Sequence, residues 1–209
     1  ERLNQRSASS RKLWTIGLSA TGTNNFTTNY RSDLKNKLFP RSIPTDAETD
    51  DLINFIRGVD TYDQNKKGKT TERHKLADIY HSDLVVVGKP EAAFQHDGSS
   101  NFEKKDAYYR SQNGYSNFIS GNSCGGSCQS RKEVVYAASN SGILHAFDTI
   151  NGEELWGYIP PNIIGELSKI ISSKANTTNA IYGIDGSPIV KDIYYGGSWK
   201  TILLAGLGA

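Results

Sequence analysis

The sequence has no methionine, two cysteines, almost no net charge and no long apolar run. Each shortage excludes something. Basic and acidic residues number 24 and 22, for a net charge of +2, and no Lys/Arg run is long enough to track a phosphate backbone. Nucleic acid is therefore not an expected partner. No apolar stretch approaches the length of a membrane span, and Thr201–Leu207 is only strand length. The two cysteines, Cys124 and Cys128, stand in one Ser-Cys-Gly-Gly-Ser-Cys loop without the second pair a zinc site needs. They read as a small disulfide loop of an oxidising compartment, with two free thiols as the alternative. The chain starts at Glu1 within polar sequence, which leads us to expect a processed or excised piece.

What is present is turn chemistry. The chain has 20 Gly and 11 Tyr against a hydrophobic share of only 36%, a mix suited to short strands between polar loops. Val134 to Tyr158 shows it best. An apolar strand, a Ser-Asn-Ser-Gly turn, Leu144-His145-Ala146-Phe147-Asp148, an Asn151-Gly152 turn and Glu154-Leu155-Trp156 follow one another closely. Three short strands on two tight turns, ending in Trp, are how a β-propeller blade is written. A blade cannot bury its own faces alone. Propellers use roughly four to eight blades, so most of a ring is expected outside these residues.

Around the blade, a strand is expected at Leu13-Trp14-Thr15-Ile16 and a short helix over Ser32–Phe39. Thr45-Asp46-Ala47-Glu48 is a capping box, followed by an apolar stripe at Leu52, Ile53, Phe55 and Ile56 and by Gly58, a natural helix terminator. Asp83–Gly88 reads as a fully buried strand, and Ile163, Ile164, Leu167, Ile170 and Ile171 mark an amphipathic helix on the propeller's face. Ile79–Val85 is echoed by Ile184–Val190, each placing Ser before an apolar strand. The first blade would then run from Ser82 to Tyr158 and a second would open at Ser187 and continue through Thr201–Leu207. These readings divide the chain into a helical linker with an Asp-rich loop, 1–77, and a propeller fragment, 78–209, with a long insertion at 90–132.

Several separated motifs now stand in a recognisable order: Ile79-Tyr80-His81-Ser82, Gly142–Asp148, Gly152–Trp156, Ile159-Pro160-Pro161, Tyr182–Pro188, Trp199-Lys200-Thr201 and Gly206–Ala209. From about Leu52 onward they resemble the front edge of the C-terminal propeller of PilY/PilC-type type IV pilus tip proteins. The resemblance implies a mainly β fold, a partial quinoprotein-like β-propeller of about one and a half blades behind a small helix-containing N-terminal segment. It also implies a secreted, cell-surface adhesin and pilus-assembly factor, with minor pilins and a host or abiotic surface as partners. Several such proteins bind calcium. The Gly-x-Leu-x-Ala-x-Asp core also resembles quinoprotein dehydrogenase propellers at blade level, and an enzyme of that class is the alternative. No catalytic residue travels with that likeness.

Three sets of residues are candidates for function. In the loop Asp60–Glu72, Asp63, Asn65 and Gly68 fit the first, third and sixth places of a calcium loop, which needs oxygen ligands at alternate positions and a Gly for the turn. A calcium site would use Asp60, Asp63, Asn65 and Glu72. Lys67 stands where a ligand should, and a solvated polar turn is the plain alternative. In the insertion, Tyr108, Tyr109, Arg110, Tyr115 and Phe118 are residue types that anchor interfaces; a loop folded back on the rim is equally compatible. Among blade residues, His81 and His145 are expected to satisfy backbone groups, Asp148 and Asp185 to hold turns, and Trp156 and Trp199 to pack between blades.

Overall fold

The computed structural model describes residues 2–95, 102–124, 126 and 128–207. Glu1, 96–101, Gly125, Ser127, Gly208 and Ala209, and with them the tips of the insertion and of the last motif, lie outside the described residues. The chain forms two compact units. One comprises Glu1–Val85, Val135–Pro188 and Ala205–Ala209; the other comprises Val86–Val134 and Ile189–Leu204. Residues 1–77 and most of the blade strands fall in the same unit.

The first unit is built from a short helix α1 (Arg2–Gln5), strand β1 (Leu13–Trp14), and helices α2 (Arg31–Leu38) and α3 (Asp46–Arg57). Strand β2 (Val85–Val87) sits at the division. The blade strands follow as β3 (Val134–Ala138), β4 (Leu144–Asp148) and β5 (Glu154–Tyr158), each close to its expected bounds. They lie in the sheet order β1-β5-β4-β3. β4 and β5 are antiparallel, while β1 adds in parallel, Leu13 opposite Gly157 and Trp14 opposite Tyr158. Gly157 permits that approach: a Cβ there would lie 2.6 Å from Leu13 Cδ2 and 2.9 Å from Ile143 Cγ2.

α3 forms as its sequence predicts. Thr45 accepts from the Glu48 N–H while Glu48 accepts from the Thr45 N–H, and Gly58 ends the helix in the left-handed conformation. Leu52, Ile53, Phe55 and Ile56 are all buried. The segment after Pro160 is a run of 3-10 turns, Pro161–Ile170, rather than an α-helix; Ile163, Ile164, Leu167 and Ile170 are buried and the run packs against α2. β2 departs from expectation more sharply. Its residues alternate between half-buried and exposed, and Val86 is 58% exposed, so three consecutive valines do not make a buried strand here.

The second unit holds two helices where the polar, Gly-rich insertion suggests a long loop: α4 (Phe102–Gln112) and α5 (Tyr115–Ile119). It also holds a hairpin of β6 (Ile189–Tyr195) and β7 (Ser198–Leu204). Gly196 and Gly197 turn it with φ of +63° and +77°, the two-residue turn that only glycine-like residues make readily. Tyr115, Phe118 and Trp199 form this unit's core. In the first unit, β4 and β5 bury the polar side chains of His145, Asp148 and Glu154 beside apolar ones, and these polar groups lead to the site described next.

Candidate functional site

The interior of the first unit contains a chain of polar groups. Arg11 is fully buried and grips Glu154 with both sides of its guanidinium: Nε donates to Oε2 and Nη2 to Oε1, each at 2.8 Å. Its remaining amine donates to the Arg57 carbonyl at 2.9 Å, closing the C-terminal end of α3. Glu154 Oε1 also meets His145 Nδ1 at 2.8 Å, and His145 Nε2 meets Ser139 Oγ at 3.1 Å. Ser139 Oγ in turn bonds Ser141 Oγ at 2.8 Å. Burial pulls the His145 imidazole below its ordinary range, against the opposing pull of Glu154. Burial pushes the Glu154 carboxyl up, but Arg11 and His145 outweigh it and hold the carboxylate well below its usual range.

Serine, histidine and glutamate in this order match the connectivity of a hydrolytic triad. The setting does not. Ser139 and His145 are both 0% exposed, Glu154 is shared with a guanidinium, and neither Ser139 nor His145 lines the open cleft of the first unit. A nucleophile needs room for substrate within reach. The chain of bonds is an internal clamp that ties β1's approach, α3 and the blade together. Four of its members lie on the predicted blade, but its anchor, Arg11, is 143 residues from Glu154 in sequence, and no local signal joins them. The blade histidines were expected to satisfy backbone groups; both instead find side chains, since His81 Nδ1 meets Asp185 Oδ2 at 2.7 Å.

The Asp60–Glu72 loop closes as a small ring, with Asp60 N–H donating to the Thr71 carbonyl at 2.7 Å and Arg73 N–H to the Gly58 carbonyl at 2.8 Å. Its oxygens are used internally. Asp60, fully buried, accepts from the Gln64 and Asn65 N–H groups at 2.9 and 2.7 Å. Asp63 accepts from the Gly68 N–H at 2.9 Å, and Asn65 accepts from the Lys67 N–H at 2.8 Å. Glu72 turns away to the Ala8 N–H at 2.9 Å and to the Lys75 ammonium at 2.5 Å. Burial raises the Glu72 carboxyl, yet these two contacts hold it below its ordinary value. A hard cation needs several oxygens converging on one point. Among the described residues no group of three His, Cys, Asp or Glu side chains is placed to hold a metal. The four residues do not fit a calcium site in this arrangement. Asp60, Asn65 and Glu72 do share the lining of an open cleft of about 590 Å³, and Asp63 does not line it.

The insertion's aromatics separate into two groups. Tyr115 and Phe118, expected as partner contacts, are 0% and 5% exposed. Tyr115 packs edge-on to Trp199 at 4.6 Å between ring centroids, and its hydroxyl donates to Asp192 at 2.5 Å. Burial, with Asp192 beside it, pushes the phenol well above its usual range. Trp199 packs inside this cluster and donates to the Asn113 carbonyl at 2.8 Å. Tyr108 and Tyr109 remain about half exposed, and Arg110 donates to the Ala93 carbonyl at 2.9 Å. The Gly196-Gly197 hairpin, which supplies Trp199, is the signal that would have shown Tyr115 and Phe118 to be covered. Cys124 and Cys128 are joined in a disulfide.

On the blade sheet a row of half-buried aromatics runs from β3 to β5 and β1: Tyr136 and Trp156 at 5.7 Å, Trp156 and Trp14 at 6.1 Å, Trp14 and Tyr158 at 4.6 Å. The strands and their order in sequence match what the motifs predict. Similarity to known proteins extends the match along the chain. Type IV pilus biogenesis factor PilY1 of Pseudomonas aeruginosa strain PAO1 is 30% identical over 173 residues, 81% of this chain. This is PilY1-type sequence. A PilY1 homolog of Xylella fastidiosa is 28% identical over 158 residues, 75% of this chain. The chain spans about 13% of the length of the Pseudomonas relative and 12% of the Xylella one. No family model matches, and no solved structure matches at a significant level. No helix among the described residues is long and apolar enough to cross a membrane.

Proposed function

We propose that these residues form the leading edge of the β-propeller of a type IV pilus biogenesis factor, which acts without catalysis at the pilus tip, in pilus assembly and surface adhesion. The observation that carries this reading is the PilY1-type sequence over most of the chain. The three-stranded run β3–β4–β5 supports the propeller part. So does the aromatic row on its sheet, a half-buried apolar face of the kind that a neighbouring blade covers. The partners would be minor pilins on one side and a host or abiotic surface on the other, with the half-exposed Tyr109 ring, edge-on to Trp199, offering part of a contact surface. The enclosed Ser139–His145–Glu154 relay supports a structural role for the blade's polar residues rather than a chemical one.

The test is genetic. Cells carrying the full gene with the codons for these residues deleted are scored for surface pili and for attachment, in the presence and absence of pilus retraction. Loss of surface pili that returns when retraction is blocked supports a role in extension. Normal piliation and attachment, with the truncated protein present at the cell surface, would refute it.

A further inference from the structure

The cleft beside the Asp60–Glu72 loop has a chemistry the pilus reading does not use. Its walls are amides and hydroxyls: Gln64, Asn140, Asn176, Asn179, Thr177 and Thr178 all line it. At about 590 Å³ it falls within the size range of small-molecule sites. Asn140 is the informative member. Its N–H donates to the Asp78 carbonyl at 2.8 Å and its own carbonyl accepts from Ile181 at 2.9 Å, so the backbone is fixed on both sides. The residue is only 7% exposed, yet among the described residues its carboxamide makes no hydrogen bond. Its carboxamide atoms reach the open cleft, where a ligand hydroxyl can bond them as donor and acceptor. Gln64, 9% exposed, has its Nε2 committed to the Ser172 carbonyl at 2.7 Å, which fixes the amide and leaves its oxygen as an acceptor.

Charge in the cleft is largely cancelled. Asp60 is satisfied by backbone N–H groups, Glu72 by Lys75, and Arg73 is held over the Phe55 ring with its guanidinium bonded to the Phe55 carbonyl at 3.1 Å. Among the described residues no Phe, Tyr or Trp lines the cleft, and Leu76 is the one large apolar side chain there. Lys67 and Asp78, of opposite sign, also line it, so the cleft offers no pocket for an apolar side chain and no strong excess of one charge. What suits donor–acceptor amides on every wall is a ligand that is neutral and hydroxylated all round. We propose that this cleft binds a neutral saccharide, with the Asn140 carboxamide, the Gln64 oxygen and the Asn176 carboxamide bonding its hydroxyls. Without an aromatic platform, binding is weak and governed by hydrogen bonds. The inference does not depend on the pilus reading.

The test is saturation-transfer NMR on the chain with glucose, galactose, mannose and N-acetylglucosamine, alongside glucuronate and a Gly/Ser tetrapeptide. Transfer to at least one neutral sugar is expected, with affinity about tenfold weaker in Asn140→Ala, the effect of one lost hydrogen bond. Asn176→Gly, which keeps the left-handed backbone at φ +57°, is expected to weaken binding without disturbing the fold and serves if Asn140→Ala does not fold. Absence of transfer to all four neutral sugars, undiminished binding in a folded variant, or equal transfer to glucuronate or the peptide would each overturn the proposal.

Discussion

Replacing Arg11 by Ala is the most informative single perturbation of the fold. The side chain is fully buried and makes four hydrogen bonds, two to Glu154 and two to the carbonyls of Ile56 and Arg57. Its loss leaves the Glu154 carboxylate buried with only His145 beside it. Breaking a buried ion pair from one side costs about 3–5 kcal/mol, a large part of the roughly 5–15 kcal/mol that stabilises an ordinary domain. The cost also depends on pH. Glu154 titrates lower folded than unfolded, so the unfolded chain binds more protons in acid and stability is lost as pH falls through the ordinary carboxylate range, about 4.3. Most of that depression comes from Arg11. The gap between wild type and variant is therefore widest near neutrality and narrows below about pH 4. Urea unfolding followed by the fluorescence of Trp14 and Trp156, which sit on β1 and β5, measures both effects. A cost under about 1 kcal/mol, or a gap that stays constant into acid, would refute the clamp.

Other consequences can be checked in the same way. His145 titrates lower folded than unfolded, so stability falls as pH drops below about 6.5, and His145→Gln should flatten unfolding midpoints between neutral and mildly acidic pH. Thr45→Ala removes the acceptor for the Glu48 N–H and is expected to cost about 1 kcal/mol in chemical denaturation. Trp199→Ala empties the centre of the Tyr115–Phe118 cluster and should cost about 3–5 kcal/mol, read as loss of protease resistance in the 102–119 helices. Calcium titration calorimetry should give the same heats for wild type and Asp63→Ala, because the Asp63 carboxylate is held by Gly68 and does not share the cleft.

What could be read in the sequence was local. The capping box and apolar stripe of α3, and the three blade strands with their turns, depend on residues within a few positions of one another, and they form as their spacing implies. What could not be read was joined from afar. Arg11 reaches Glu154 across 143 residues, and Trp199 reaches Asn113 across 86. Tyr115 and Phe118 look like interface anchors until the later hairpin covers them. β2 misleads for the opposite reason: three valines signal a strand but do not say which face is covered. Composition brings Asp60, Asp63, Asn65 and Glu72 together as candidate calcium ligands, but it does not say that their oxygens turn to backbone N–H groups and to Lys75.

The propeller assignment is tested most directly by an experimental structure of the longer protein to which PilY1-type sequence of this kind belongs. β3, β4 and β5 are expected as successive strands of one blade in a closed ring, with Trp14, Trp156 and Tyr136 covered by the next blade. A sheet that stands alone, with that aromatic row facing solvent, would contradict it.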